Sequence, residues 1–140
     1  MKFITIICLV LLFSITCSDK DCHETINFIN NSGKFVYVQK SNGYPDTTYL
    51  RYEFPNPALN PQLYKVKAGE KSSSALFYRN GCYEAHFKTL KSDTLMIYVF
   101  DAQILETTPW DTITAKYLVL KRYNLSLEDL KQMNWTIIYP

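Results

Sequence analysis

Glycine is scarce in this chain: four residues in 140, far apart at positions 33, 43, 69 and 81. A loop that cradles phosphate needs several glycines within one turn, so nucleotide chemistry of that kind is excluded. Histidine is scarcer still, with only His23 and His86, and no four-ligand spacing of the zinc type is present. Excess charge is also missing. The 15 Lys and Arg against 13 Asp and Glu leave a formal charge of +2, which is no electrostatic footprint for nucleic acid. No run of about 18 apolar residues occurs, so no helix long enough to cross a bilayer is predicted.

What the chain does have is aromatic bulk: 11 Tyr, 8 Phe and 2 Trp. With β-branched residues in support, this composition describes a strand-rich globule rather than a disordered chain.

The N-terminus has the parts of an export signal. Lys2 precedes an apolar stretch over 3–13, and the small residues Ser14 and Thr16 stand just before Cys17. As a helix, residues 3–16 would reach only about 21 Å against a hydrocarbon core of about 30 Å. Ser14-Ile15-Thr16-Cys17 resembles the processing site of bacterial lipoproteins, with Thr16 in the place of the usual Gly, Ala or Ser. That resemblance implies acylation of the Cys17 thiol. The following Ser18-Asp19-Lys20-Asp21 is similar to the acidic signal that sends Bacteroidetes lipoproteins to the cell surface. Cysteine arithmetic then has a consequence. Cys8 leaves with the signal, and lipid on Cys17 leaves Cys22 and Cys82 as an even pair in an oxidising compartment. A Cys17–Cys22 bridge with Cys82 free, or no bridge at all, are the alternatives.

Along the mature chain, 24–29 and 34–40 read as a hairpin around Asn30-Asn31-Ser32-Gly33. Residues 41–61, broken by Pro45, Pro55, Pro57 and Pro61, read as one long loop carrying Tyr44, Tyr49, Tyr52 and Phe54. Long loops often bind, so these four aromatics are the candidate contact surface, for a glycan or an envelope protein; a short irregular strand pinned to the core is the plainer reading. Residues 62–67 alternate as a strand, and 74–78 with 82–88 read as a second hairpin around Asn80-Gly81. On that reading Cys82 lies on the polar face while Cys22 is in phase with Ile26 and Phe28, so their bridge requires an irregular strand end.

Leu95-Met96-Ile97-Tyr98-Val99-Phe100 shows no alternation, which predicts a central strand covered on both faces. Thr108-Pro109-Trp110-Asp111 predicts a helix over 109–116 with Trp110, Ile113 and Tyr117 inward. A strand over 118–123 comes next. Ser126-Leu127-Glu128-Asp129 then predicts a capped helix, stapled by Leu125 and Leu130, and 135–139 a last strand. The C-terminal wording, from Pro109-Trp110 through Leu120-Lys121-Arg122-Tyr123 and Leu125-Ser126-Leu127-Glu128-Asp129-Leu130 to Asn134-Trp135-Thr136-Ile137-Ile138-Tyr139-Pro140, resembles a family of small Bacteroidetes cell-envelope lipoproteins. The resemblance implies an envelope location and carries no activity with it.

The expected architecture is therefore mainly β: an antiparallel two-layer β-sandwich of seven or eight short strands, with two short helices near the C-terminus. Residues 1–16 are the signal peptide, 17–23 the lipidated tether and 24–140 a single domain. No catalytic residue, metal ligand or cofactor is expected. The expected function is non-enzymatic binding or scaffolding at the outer membrane, surface-exposed and held through the lipid, with no nucleic acid as partner. Two alternatives stand beside it. One is a small envelope hydrolase or metal-dependent enzyme using Glu84, His86 and His23; the other is a protective or inhibitor lipoprotein. Asp46-Thr47-Thr48 is similar to the tripeptide used for O-glycosylation of exported Bacteroidetes proteins, which makes Thr47 a candidate modification site.

Overall fold

A computed structural model describes residues 21–48, 50–51 and 55–140. The expected signal peptide, Cys17, Tyr49, Tyr52 and Phe54 lie outside the described residues. Seven strands form two mostly antiparallel sheets, ordered around the strand predicted to be central, here β5 (Leu95–Asp101). Six consecutive residues of β5 are buried. Alternation of side chains along a strand sends Leu95, Ile97 and Val99 into one core and Met96, Tyr98 and Phe100 into another.

β5 pairs antiparallel with β2 (Val36–Ser41) from Val36↔Asp101 to Ser41↔Met96, and with β6 (Lys121–Leu125) from Leu95↔Leu125 to Val99↔Lys121. β3 (Lys65–Val66) closes the other side of β2 over only two residues, Val36 and Tyr37. The smaller sheet places β1 (Asn27–Asn30) between β4 (Lys71–Ser72), antiparallel, and β7 (Thr136–Tyr139), parallel. Ile26, Phe28 and Ile137 from this sheet meet Val36, Val38, Ile97 and Val99 in the first core.

Five short α-helices are described, three more than the sequence predicted: α1 (Pro61–Tyr64), α2 (Tyr83–Phe87), α3 (Ala102–Thr107), α4 (Trp110–Ala115) and α5 (Leu127–Gln132). Ala102 and Leu105 of α3 and Ile113 of α4 cover the second face of β5, together with Leu50. The Ser126 capping box forms in full, and Leu125 and Leu130 are both buried in the first core.

Several local expectations are corrected. Segments 24–29 and 34–40 are not a hairpin, because β1 and β2 belong to different sheets. Asn30 explains the divergence: it is wholly buried, and its Nδ2 donates to the carbonyls of Lys34, Val66 and Lys67, which pins the end of β1 beside β3. The second hairpin is replaced by α2. Tyr83, His86 and Phe87 are buried at helical spacing, whereas Ala85, inward on a strand reading, is exposed. Pro61 begins α1 and shortens the strand expected over 62–67 to two residues. α3 follows from Asp101, whose carboxylate accepts from the Gln103 and Ile104 N–H groups. Thr108 does not cap α4, since its own N–H closes α3 on Ile104. Tyr117 is 41% exposed rather than inward, and the strand expected over 118–123 begins at Lys121.

Because β5 is the shared wall of both cores, truncating it is costly. Ile97→Ala is expected to lower unfolding free energy by about 3 kcal/mol, and Ile138→Ala, on the exposed side of β7, by less than about 1 kcal/mol. Urea denaturation of the two variants measures the difference.

Candidate functional site

The N-terminal end of the domain is held against α2 by three groups. Cys22 and Cys82 are joined in a disulfide across 60 positions, with Cα atoms 5.0 Å apart. The strand phase that argued against the bridge does not apply, because Cys82 stands at the cap of α2 and not within a strand. The backbone N–H of His23 donates to Glu84 Oε2 at 2.9 Å, its ring Nδ1 meets Glu84 Oε1, and the ring stacks on Trp135 with centroids 4.1 Å apart. Burial raises the Glu84 pKa, but the bonds from His23 outweigh it and hold the carboxyl below its ordinary value. Both oxygens of Glu84 are thereby used in structure.

This arrangement takes apart the candidate metal site. Residues two apart share a face on a strand but lie about 200° apart around a helix. Glu84 turns to His23, while His86 turns the other way and packs against Tyr78, with its Nε2 3.0 Å from Asn42 Oδ1. Trp135 and Tyr83 stand between the two histidines. Among the described residues, no group of three or more His, Cys, Asp or Glu is placed to hold a metal ion.

His86 instead borders a cleft of about 550 Å³, within the range of small-ligand sites. Its origin is traceable to Pro61. Because α1 cuts β3 short, the polar end of β2 extends beyond its partner, and the cleft wraps that edge, with the Gln39 side chain on the face of the second core and that of Lys40 on the face of the first, between Leu63 and Tyr64 and the 73–80 segment. Two features are out of keeping with a merely structural surface.

The first is Gln39, 3% exposed, whose Oε1 has no hydrogen-bond partner. A buried orphan acceptor costs about 1–3 kcal/mol, and native structures hold few of them. The second is Lys40. Its ammonium lies 4.8 Å from the Tyr78 ring centre and 5.3 Å from that of Tyr83, and donates to the Phe77 carbonyl at 3.3 Å. Burial lowers its pKa to about 8, with no carboxylate among the described lining residues to oppose the change. His86 is pushed down by burial and then by the charge of Lys40. The Tyr83 hydroxyl donates to the Leu76 carbonyl at 2.7 Å, and burial raises its pKa, so it stays neutral. The aromatic shell is thus neutral around a single cation.

Of the predicted loop, Tyr44 packs half-buried against the second core, and Asn42 is its contribution to the cleft. Thr47 is partly exposed, beside an Asp46 carboxylate that accepts from the Thr48 N–H and hydroxyl. Gln39, Lys40, Tyr78 and Arg79 were not singled out from sequence. A signal was available for the first two: two polar residues continuing a strand whose Phe35, Val36, Tyr37 and Val38 read as covered on both faces.

Lys40 gives a signed expectation. Its folded pKa lies below the unfolded value of 10.5, so the unfolded state binds more protons between about 8 and 10.5, and the penalty on folding is complete below pH 8. Lys40→Met is expected to stabilise the domain at pH 7, with the gain fading as pH rises from about 8 and lost by about 10.5; urea midpoints at the two ends of that range measure it. Cys82→Ser, which opens a loop closed across 60 positions, is expected to lower stability by about 3–4 kcal/mol, read in the same way.

No protein-family model, no curated protein and no solved structure matches this chain. The functional conclusion accordingly rests on the chemistry of the cleft and of the N-terminal segment.

Proposed function

We propose that this chain is a non-enzymatic binding domain of the cell envelope, tethered to the outer membrane through lipid on Cys17, and that it takes its ligand in the cleft beside Lys40. The export-type N-terminus and the disulfide between Cys22 and Cys82 support an oxidising, extracytoplasmic setting. No helix among the described residues is long and apolar enough to cross a membrane.

The observation that carries the reading is the cleft itself, where the Lys40 ammonium lies against two tyrosine rings and Arg79 stands exposed, with no carboxylate among the described lining residues. Burial of the Lys40 charge opposes folding, and an anionic ligand in the cleft would relieve it. The hydrolytic alternative draws less support, since Glu84 and His23 are engaged with each other, away from the cleft. The long loop contributes Asn42 to this cleft, while Tyr44 packs half-buried against the second core and borders a neighbouring hollow.

The test uses the chain with Cys17→Ala, so that no lipid contributes, sedimented with protease-treated envelopes of the organism that makes it. Retention is expected to fall by about tenfold or more when Lys40→Met and Arg79→Ala are combined, as charge-assisted bonds of this type are worth about 1.5–3 kcal/mol. Retention equal to that of the parent chain would sink the assignment of the cleft.

A further inference from the structure

The described lysines stand in two kinds of surroundings, and Lys40 shares neither. Lys34, Lys65 and Lys67 lie against the carboxylates of Asp101, Glu106 and Glu70. Lys71, Lys88, Lys91, Lys116, Lys121 and Lys131 are exposed. The Lys40 nitrogen is set instead among neutral groups: it donates to the Phe77 carbonyl at 3.3 Å and to the Tyr83 hydroxyl at 3.5 Å, beside the Tyr78 ring. The Tyr83 hydroxyl gives its own proton to the Leu76 carbonyl, so towards Lys40 it acts as an acceptor. Two N–H bonds serve these two acceptors. A neutral amine has just two, and its lone pair then takes the remaining tetrahedral position, on a side chain that lines the cleft.

Resting on the binding reading above, we propose that Lys40 is a nucleophilic amine that captures an oxo acid as a reversible imine, with the acid group of the ligand held by Arg79. The lone pair of Lys40 Nζ adds to the carbonyl carbon of the ligand and gives a carbinolamine. The C–O bond then breaks, the oxygen leaves as water with both amine protons, and a C=N bond remains; water reverses the sequence. No oxidant or reductant enters. Arg79 is exposed, lines the same cleft and makes no hydrogen bond or ion pair among the described residues, so its five donors are available to a carboxylate. Simpler ligands use only part of the site. A plain anion meets the cations without using the amine, and a neutral aldehyde uses the amine without meeting Arg79. No Asp or Glu is among the described lining residues to hold Lys40 in its charged, unreactive form.

The ionisation of the amine agrees with this geometry. Burial brings the Lys40 pKa to about 8, so its neutral share near pH 7 is on the order of a hundredfold larger than that of a solvated lysine. The titratable and charged groups around it are Tyr64 of α1, Tyr78 and Arg79 of the 73–80 segment, and Tyr83 and His86 of α2, none of them a carboxylate. A neutral imine also removes the charge that burial opposes.

Reductive trapping on the chain with Cys17→Ala tests the inference. The protein is incubated with sodium succinate semialdehyde, or with butanal, an aldehyde of the same length without the acid, and each imine is fixed with sodium cyanoborohydride before peptide mass spectrometry. With the semialdehyde at pH 7, Lys40 is expected to be labelled about tenfold or more faster than the exposed Lys71 and Lys121, an advantage that narrows as pH rises towards the ordinary lysine range. Lys40 is also expected to favour the semialdehyde over butanal by about tenfold, a preference that Arg79→Ala removes. Labelling of Lys40 no faster than that of Lys71 overturns the proposal, as does butanal reacting with Lys40 as fast as the semialdehyde. Because trapping is read on unaltered Lys40, it stays informative if Lys40 variants fold poorly. Lys40→Arg keeps the charge and cannot condense, and retention on envelopes is expected to fall when it is made. If that chain is retained as well as the parent while Lys40→Met with Arg79→Ala is not, capture through an imine falls and the cleft stands. If retention is indifferent to both changes, both fall.

Discussion

β5 has no solvent on either face. Each of its residues from Leu95 to Phe100 is buried, and the alternation of a pleated strand commits three side chains to each of two cores. Both sides must therefore be covered. The β1–β7 sheet with α2 and α5 supplies the cover for Leu95, Ile97 and Val99, and α3, α4 and Leu50 the cover for Met96, Tyr98 and Phe100. Strands β2 and β6 flank β5 to satisfy its backbone. The topology follows from where those covering elements must attach.

The cleft is a by-product of the same arrangement. β2 runs the length of β5, so its register is set by that pairing, but Pro61 opens a helix and leaves β3 only two residues to pair with it. The polar end of β2 therefore stands in a gap. Lys40 is stabilised there by the faces of two tyrosines and a carbonyl, and opposed by the loss of water. A chain shaped for stability alone would place an apolar residue at this position.

The disulfide and the His23–Glu84 clasp belong to this same economy of support. They fasten the segment that leads back to Cys17 onto α2, and α2 carries His86 on its opposite side to the wall of the cleft. The clasp on the N-terminal segment and the wall of the cleft are thus built on one helix, with Trp135 and Tyr83 packed between. Residues that looked like a metal cluster at strand spacing serve, at helical spacing, as a clasp on one side and a cleft wall on the other.

What could be read directly were the features determined within a few residues: the uninterrupted apolar run of β5, the Ser126 capping box with its leucine staple, and a cysteine count that allowed Cys22 to pair with Cys82. Local sterics and hydrogen bonding are enough to specify these. The short segments were not legible in the same way. Tyr83, Ala85 and Phe87 suit a strand face as well as Tyr83, His86 and Phe87 suit a helix, and only the shape of the first core, which accepts Phe87 beside Tyr83 and leaves Ala85 outside, decides between them. Asn30 likewise reads as a turn residue until the carbonyls of Val66 and Lys67 are brought to it from 36 and 37 positions away. The sequence alone determined that there would be a doubly covered strand in a domain of nearly balanced charge. Tertiary structure decided where Gln39 and Lys40 would face, because the surroundings that leave one without a partner and the other short of water come from α1, the 73–80 segment and α2, remote in the chain and adjacent only once it has folded.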